Sequence, residues 1–213
     1  GECDDNTNND CYNLNIILGG NYNLISFPAL PGDGDYSVEN IFGGLCGNLI
    51  GVFSEGSAFV NWGGCNFIGS LTEVSPDDGY WVILHTFHDT LVIYGAVPVS
   101  YDADGEIVYD MHYGANLISY PFPDALLIEV ALGDAADNVF ALAGEGIAAL
   151  NTDNGWVGSL EVFEGKKGYW LFTSDDFTFT FNEPEEGLAR IAEQTAVRPV
   201  TEAYRFMQSS RQA

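Results

Sequence analysis

Asn23-Leu24-Ile25-Ser26-Phe27-Pro28 returns as Asn116-Leu117-Ile118-Ser119-Tyr120-Pro121, 93 residues later. Ile68-Gly69-Ser70-Leu71 with Gly79-Tyr80-Trp81-Val82 returns in the same order as Val157-Gly158-Ser159-Leu160 with Gly168-Tyr169-Trp170-Leu171, and the glycine of the closing phrase is displaced by 89. Two phrases repeated in order at nearly one offset predict a tandem duplication of a unit of about ninety residues, with small loop deletions.

Working outward, Asn15 to Pro28 reads as two strands joined by a tight turn at Gly19-Gly20. Ser37 is placed to cap a short helix over 38–42, and Asp124 stands before the matching run 125–132. Short apolar segments then follow at hairpin spacing: 49–53, 58–62, 67–71, 80–85 and 90–94, matched by 139–142, 147–150, 156–160, 169–173 and 177–181. Phe177, Phe179 and Phe181 alternate with Thr178 and Thr180, the period of a half-buried strand. The fold class expected is mainly β: two tandem homologous small antiparallel β-sandwich or barrel units, each with one short helix, plus a C-terminal extension. The predicted organisation is a polar cap over 1–14, unit one over 15–96, unit two over 97–182 and an extension over 183–213.

Charge is distributed unevenly. All six basic residues lie after position 165, whereas 24 of the 31 acidic residues lie before it, and the net charge is −25. Such a surface repels nucleic-acid phosphates and anionic lipid, so nucleic acid is excluded as a partner. No apolar run is long enough for a membrane-spanning helix. Hydrophobic residues at 46% supply ample core for an ordered chain.

Cys3, Cys11, Cys46 and Cys65 form an even set confined to the first unit. The second unit lacks cysteine, which favours structural bridges, Cys3–Cys11 and Cys46–Cys65, over chemistry built into the repeat. Paired cysteines imply an oxidising, extracellular compartment, with Gly1 as a processed terminus.

The ordered phrases, Asn-Leu-Ile-Ser-aromatic-Pro and then Gly-Tyr-Trp, resemble a repeat of large secreted or cell-surface proteins of marine and environmental bacteria. There the first phrase usually reads Gly-Trp-Asn-Leu-Ile-Ser; Tyr22 and Ala115 stand here in place of the Trp. The resemblance covers about residues 15–182 and implies an extracellular β-module without an active site. The closing residues 208–213 resemble a junction leading into a further domain.

Several candidate sites remain. Asp4, Asn6, Asn8 and Asp10 alternate between two cysteines, a spacing that turns side-chain oxygens towards one Ca²⁺; the competing reading is a solvated terminus. Trp62, Tyr80, Trp81, Trp156, Tyr169 and Trp170 form a candidate sugar-stacking set, against a reading of the repeated pairs as core. Most carboxylates fall in turns and no nucleophile motif occurs, so the chain reads as a non-enzyme. Val197, Val200, Tyr204, Phe206 and Met207 lie beyond the last repeat strand, in the segment that carries four of the six basic residues. They predict a tail that docks on another copy of the chain, head to tail, by strand addition. The function expected is a self-assembling extracellular building block; the alternative is a carbohydrate-binding or adhesive module.

Overall fold

The structure, a computed structural model, describes residues 12–99 and 107–184. Those residues are mainly β, arranged in antiparallel sheets with two short helices. The first half runs β1 (Tyr12–Leu18), β2 (Tyr22–Ile25), β3 (Ala29–Pro31), α1 (Val38–Phe42), β4 (Leu49–Ser54), β5 (Ser57–Asn61), β6 (Phe67–Gly69), β7 (Tyr80–Leu84) and β8 (Asp89–Pro98). One sheet has the order β1-β8-β3, the other β2-β7-β4-β5-β6. Their inward residues, among them Leu14 and Ile16 of β1, Leu91 of β8, and Val52 and Val82 of the larger sheet, share one core.

The second half runs β9 (Tyr109–Met111), β10 (Gly114–Ile118), β11 (Leu126–Leu127), α2 (Ile128–Leu132), β12 (Val139–Ala143), β13 (Ala148–Thr152), β14 (Gly155–Gly158), β15 (Val162–Phe163), β16 (Tyr169–Thr173) and β17 (Phe177–Phe179). Its larger sheet has the order β10-β16-β12-β13-β14, and two small sheets pair β17 with β9 and β11 with β15. In both larger sheets the Asn-Leu-Ile strand stands at one edge and the Tyr-Trp strand second.

The same local bonds recur. Asn61 Nδ2 donates to the carbonyls of Cys46 (2.6 Å) and Leu49 (3.1 Å), and Asn151 Nδ2 to those of Ala136 (2.9 Å) and Val139 (3.1 Å), each side chain holding a 3₁₀ turn against its hairpin. The Tyr80 hydroxyl accepts from Ser75 N–H and the Tyr169 hydroxyl from Glu164 N–H. Gly69 and Gly158 each pass so close to the neighbouring strand that a Cβ would lie 2.0 Å and 2.2 Å from the carbonyls of Ala58 and Ala148, which accounts for the glycine in the repeated Gly-Ser-Leu.

The two predicted strands of Asn15 to Pro28 form, but β1 and β2 join different sheets. The Asn23 amide holds both polar groups of Gly20, so the turn closes on itself instead of starting a ladder. Ser37 caps α1 as read, its Oγ accepting from Asn40 N–H at 3.4 Å. The second helix is shorter than 125–132, because Leu126 and Leu127 pair with Phe163 and Val162 before α2 begins. Phe179 and Phe181 face the core as their alternation predicts. The buried Tyr120 hydroxyl finds no hydrogen-bond partner among the described residues, at the position where the first phrase has Phe27.

A disulfide joins Cys46, after α1, to Cys65, before β6; the Cα atoms are 5.1 Å apart across a sequence separation of 19. Closing a loop of that size removes unfolded-chain entropy worth about 3 kcal/mol. Urea unfolding of a Cys46→Ala/Cys65→Ala variant should show a loss of that order. An unchanged midpoint would mean that the bridge contributes nothing to stability.

Candidate functional site

The residues repeated between the halves converge where the halves meet. In each first phrase the Asn is turned inward as a clamp: Asn23 on Gly20, and Asn116 on His112, whose N–H it accepts at 3.0 Å and whose carbonyl it binds at 2.9 Å. The following Leu points to the opposite face of its sheet, yet Leu24 and Leu117 are buried, because the other half covers them.

The contact is reciprocal. Ser26 N–H donates to Lys166 C=O (3.1 Å), and Ser119 N–H to Asp77 C=O (2.9 Å). Gly168 N–H donates to Leu24 C=O (3.3 Å), and Gly79 N–H to Leu117 C=O (3.2 Å). Leu24 N–H donates to Glu145 Oε2 (3.1 Å), and Leu117 N–H to Glu55 Oε2 (2.8 Å). Each bond therefore occurs twice with the halves exchanged, the pattern of an isologous interface inside one chain. The backbone edges of β2 and β10, which would otherwise stand open, are closed by it.

Gly79 and Gly168 make the approach possible. A Cβ on Gly79 would lie 2.8 Å from Ile118 C=O, and one on Gly168 2.7 Å from Ile25 C=O. The glycine of the repeated Gly-Tyr-Trp is thus required by the opposite half, whereas the Tyr after it fills its own core.

The polar edge of this seam differs between its two sides. Asp77-Asp78 on one side stand where Lys166-Lys167 stand on the other. Lys166 Nζ donates to Asn15 C=O (3.1 Å), and Lys167 lies 3.9 Å from Glu145. Glu55 uses its second oxygen on His112 Nε2 at 2.7 Å. These ion pairs are partly exposed and each contributes little alone; the carboxylate bonds to buried backbone N–H groups contribute more. The His112 imidazole is lifted above its usual value by the Tyr113 carbonyl first and Glu55 second.

Burial, reinforced by neighbouring Asp77 and Glu55, raises the Asp78 carboxyl to about 6 from its ordinary 3.8, against a lowering bond from Tyr80. The folded state then binds the proton more tightly than the unfolded one. This contribution to stability is full below about pH 3.8 and is lost as pH rises through about 6. Asp78→Asn should therefore stabilise the protein at pH 7 and flatten the pH 4–6 slope of the denaturation midpoint. An unaltered slope would show that Asp78 titrates as an exposed acid.

A cavity of about 200 Å³ opens beside the seam between Ile16, Ile25, Gly165 and Lys166, and one of about 370 Å³ lies between Leu132, Asn138 and β17.

Among the sugar-stacking candidates, Tyr80 and Tyr169 are fully buried, with hydroxyls held by backbone N–H, and cannot meet a sugar. Trp156 packs on the second core, and Trp81 and Trp170 lie half-buried on the outer sheet faces. Trp62 is 81% exposed. Asp4, Asn6, Asn8, Asp10, Cys3 and Cys11 lie outside the described residues, as do Val197, Val200, Tyr204, Phe206 and Met207. Among the described residues, no three His, Cys, Asp or Glu side chains cluster to hold a metal.

Glu55, Glu145, Lys166 and Lys167 went unread as contact residues in the sequence. A signal was present: Glu-Gly at 55–56 recurs at 145–146, within the same offset range as the phrases. Compared with known proteins, the chain matches no family model, no curated protein and no solved structure.

Proposed function

We propose that the chain is a non-enzymatic extracellular building block made of two homologous β units, and that it assembles with copies of itself head to tail through residues 183–213. The observation that carries this reading is the seam. The repeated Asn, Leu, Ser, Gly and Tyr, together with the paired glutamates, hold the core or join the halves, and these roles account for the repetition without invoking a ligand. Equal strand order in the two larger sheets supports duplication. The Cys46–Cys65 bridge and the likeness of the phrases to repeats of secreted bacterial proteins support an extracellular place. A head-to-tail contact does not close on itself and builds a filament.

Deleting residues 195–213 should leave the β-sheet circular dichroism intact and remove the head-to-tail contact, seen in sedimentation as a shift to smaller species than the full chain forms. Truncated protein that assembles like the full chain would refute the role of the tail. The exposed Trp62 favours a second reading, a glycan-binding or adhesive module with Ca²⁺ at Asp4 to Asp10. Saturable binding on a glycan array, together with melting raised by Ca²⁺ above ionic-strength-matched NaCl, would select it.

A further inference from the structure

Each larger sheet turns one face to its core and the other outward, and both outer faces carry apolar rows that cross all five strands. In the first half the cross-strand neighbours are Tyr22, Ile83, Gly51, Val60 and Ile68. In the second they are Ala115, Phe172, Ala141, Leu150 and Val157. None bears a charge, in a chain of net charge −25. Ile68, Leu150 and Val157 are 56%, 58% and 60% exposed. Apolar side chains grouped on one face, unlike scattered ones, mark an interaction surface.

The adjoining rows indicate what covers such a face. They start at Leu24 and Leu117, where the seam already buries them, and continue through Trp81 and Trp170 into the open. The exposed rows are thus the uncovered continuation of a surface that this chain uses to bind its own fold. A partner must also tolerate the strong negative field, and these uncharged faces are where a second copy can approach with least repulsion.

We propose that the outer faces of the β2-β7-β4-β5-β6 and β10-β16-β12-β13-β14 sheets are the packing surfaces between copies of this chain, sheet against sheet. This rests on the building-block reading and adds to it a lateral contact distinct from the tail. Two such faces per molecule give a valence of two, so stacking extends beyond a dimer. Salt strengthens the contact by screening the net charge, with a Debye length of about 10 Å at 0.1 M falling to about 3 Å at 1 M.

The test is sedimentation of the full chain across protein concentration and NaCl, comparing wild type with Ile68→Lys/Val157→Lys. Both sites are exposed, so the fold should persist by circular dichroism and melting. The added positive charges reduce self-repulsion, so weaker association would come from the lost apolar contact. The proposal expects wild-type assembly that increases with salt, and at least a tenfold higher concentration for half-assembly of the variant. Ile17→Lys, on the exposed face of β1, should assemble like wild type. Equal assembly of the double variant and wild type would overturn the face contact while leaving the building-block reading standing. A wild type monomeric at every concentration and salt would overturn both.

Discussion

Replacing Phe163 with alanine should lower stability by about 3–5 kcal/mol, the range for truncating a fully buried aromatic. Its ring lies at the centre of the second core, with centroids 4.7 Å from Tyr169, 5.1 Å from Phe181 and 5.5 Å from Tyr120. Phe163 sits on the two-residue strand β15, paired with β11 directly before α2. Those partners are fixed on several sides, so the space left by the ring cannot collapse. Phe163→Leu should recover much of the loss. Urea unfolding followed by tryptophan fluorescence measures both variants. Because the halves share the seam, probes in the first half should shift with those in the second. A cost below about 1 kcal/mol would contradict the packing described.

Removing both seam carboxylates, Glu55→Ala/Glu145→Ala, should cost about 3–6 kcal/mol. Each substitution leaves a buried backbone N–H, of Leu117 or Leu24, without its charged acceptor, and such a loss runs to about 1.5–3 kcal/mol. Net charge argues the opposite way, since removing two of 31 acids from a chain of −25 relieves repulsion. The sign of the effect therefore separates the two influences. Asp153→Ala, at an exposed turn, serves as the control and should be neutral or slightly stabilising. If the double variant behaved like that control, the glutamates would be ordinary surface acids.

Much of the fold was legible because repetition and alternation carry it. The strands at 49–54, 80–84 and 177–179 follow apolar runs between turn residues, and Ser37 announces α1. The Cys46–Cys65 bridge was expected from an even set of cysteines confined to the first half of the chain. The seam was not legible, because its bonds are between backbones and depend on which edges come together. Leu24 and Leu117 stand in the repeated phrase, but their burial depends on the other half, which the order of residues does not reveal. The same holds for Gly79 and Gly168, which open the repeated Gly-Tyr-Trp phrase and are close-approach points to the opposite half. Glu55 and Glu145 were hidden by company, since two of 31 acids standing in Gly-flanked turns attract no notice. α2 fell short of its propensity because β11 took its first turn for a ladder.

Amide hydrogen exchange at Leu24 and Leu117 tests the reciprocal seam most directly. In the wild type both amides should be protected, although each lies on a sheet-edge strand. Glu145→Ala should accelerate exchange at Leu24 and spare Leu117, and Glu55→Ala should accelerate Leu117 and spare Leu24. That crossed pattern requires each glutamate to reach the opposite half. Exchange at Leu24 indifferent to Glu145, or two amides already as fast as an open strand edge, would contradict the seam.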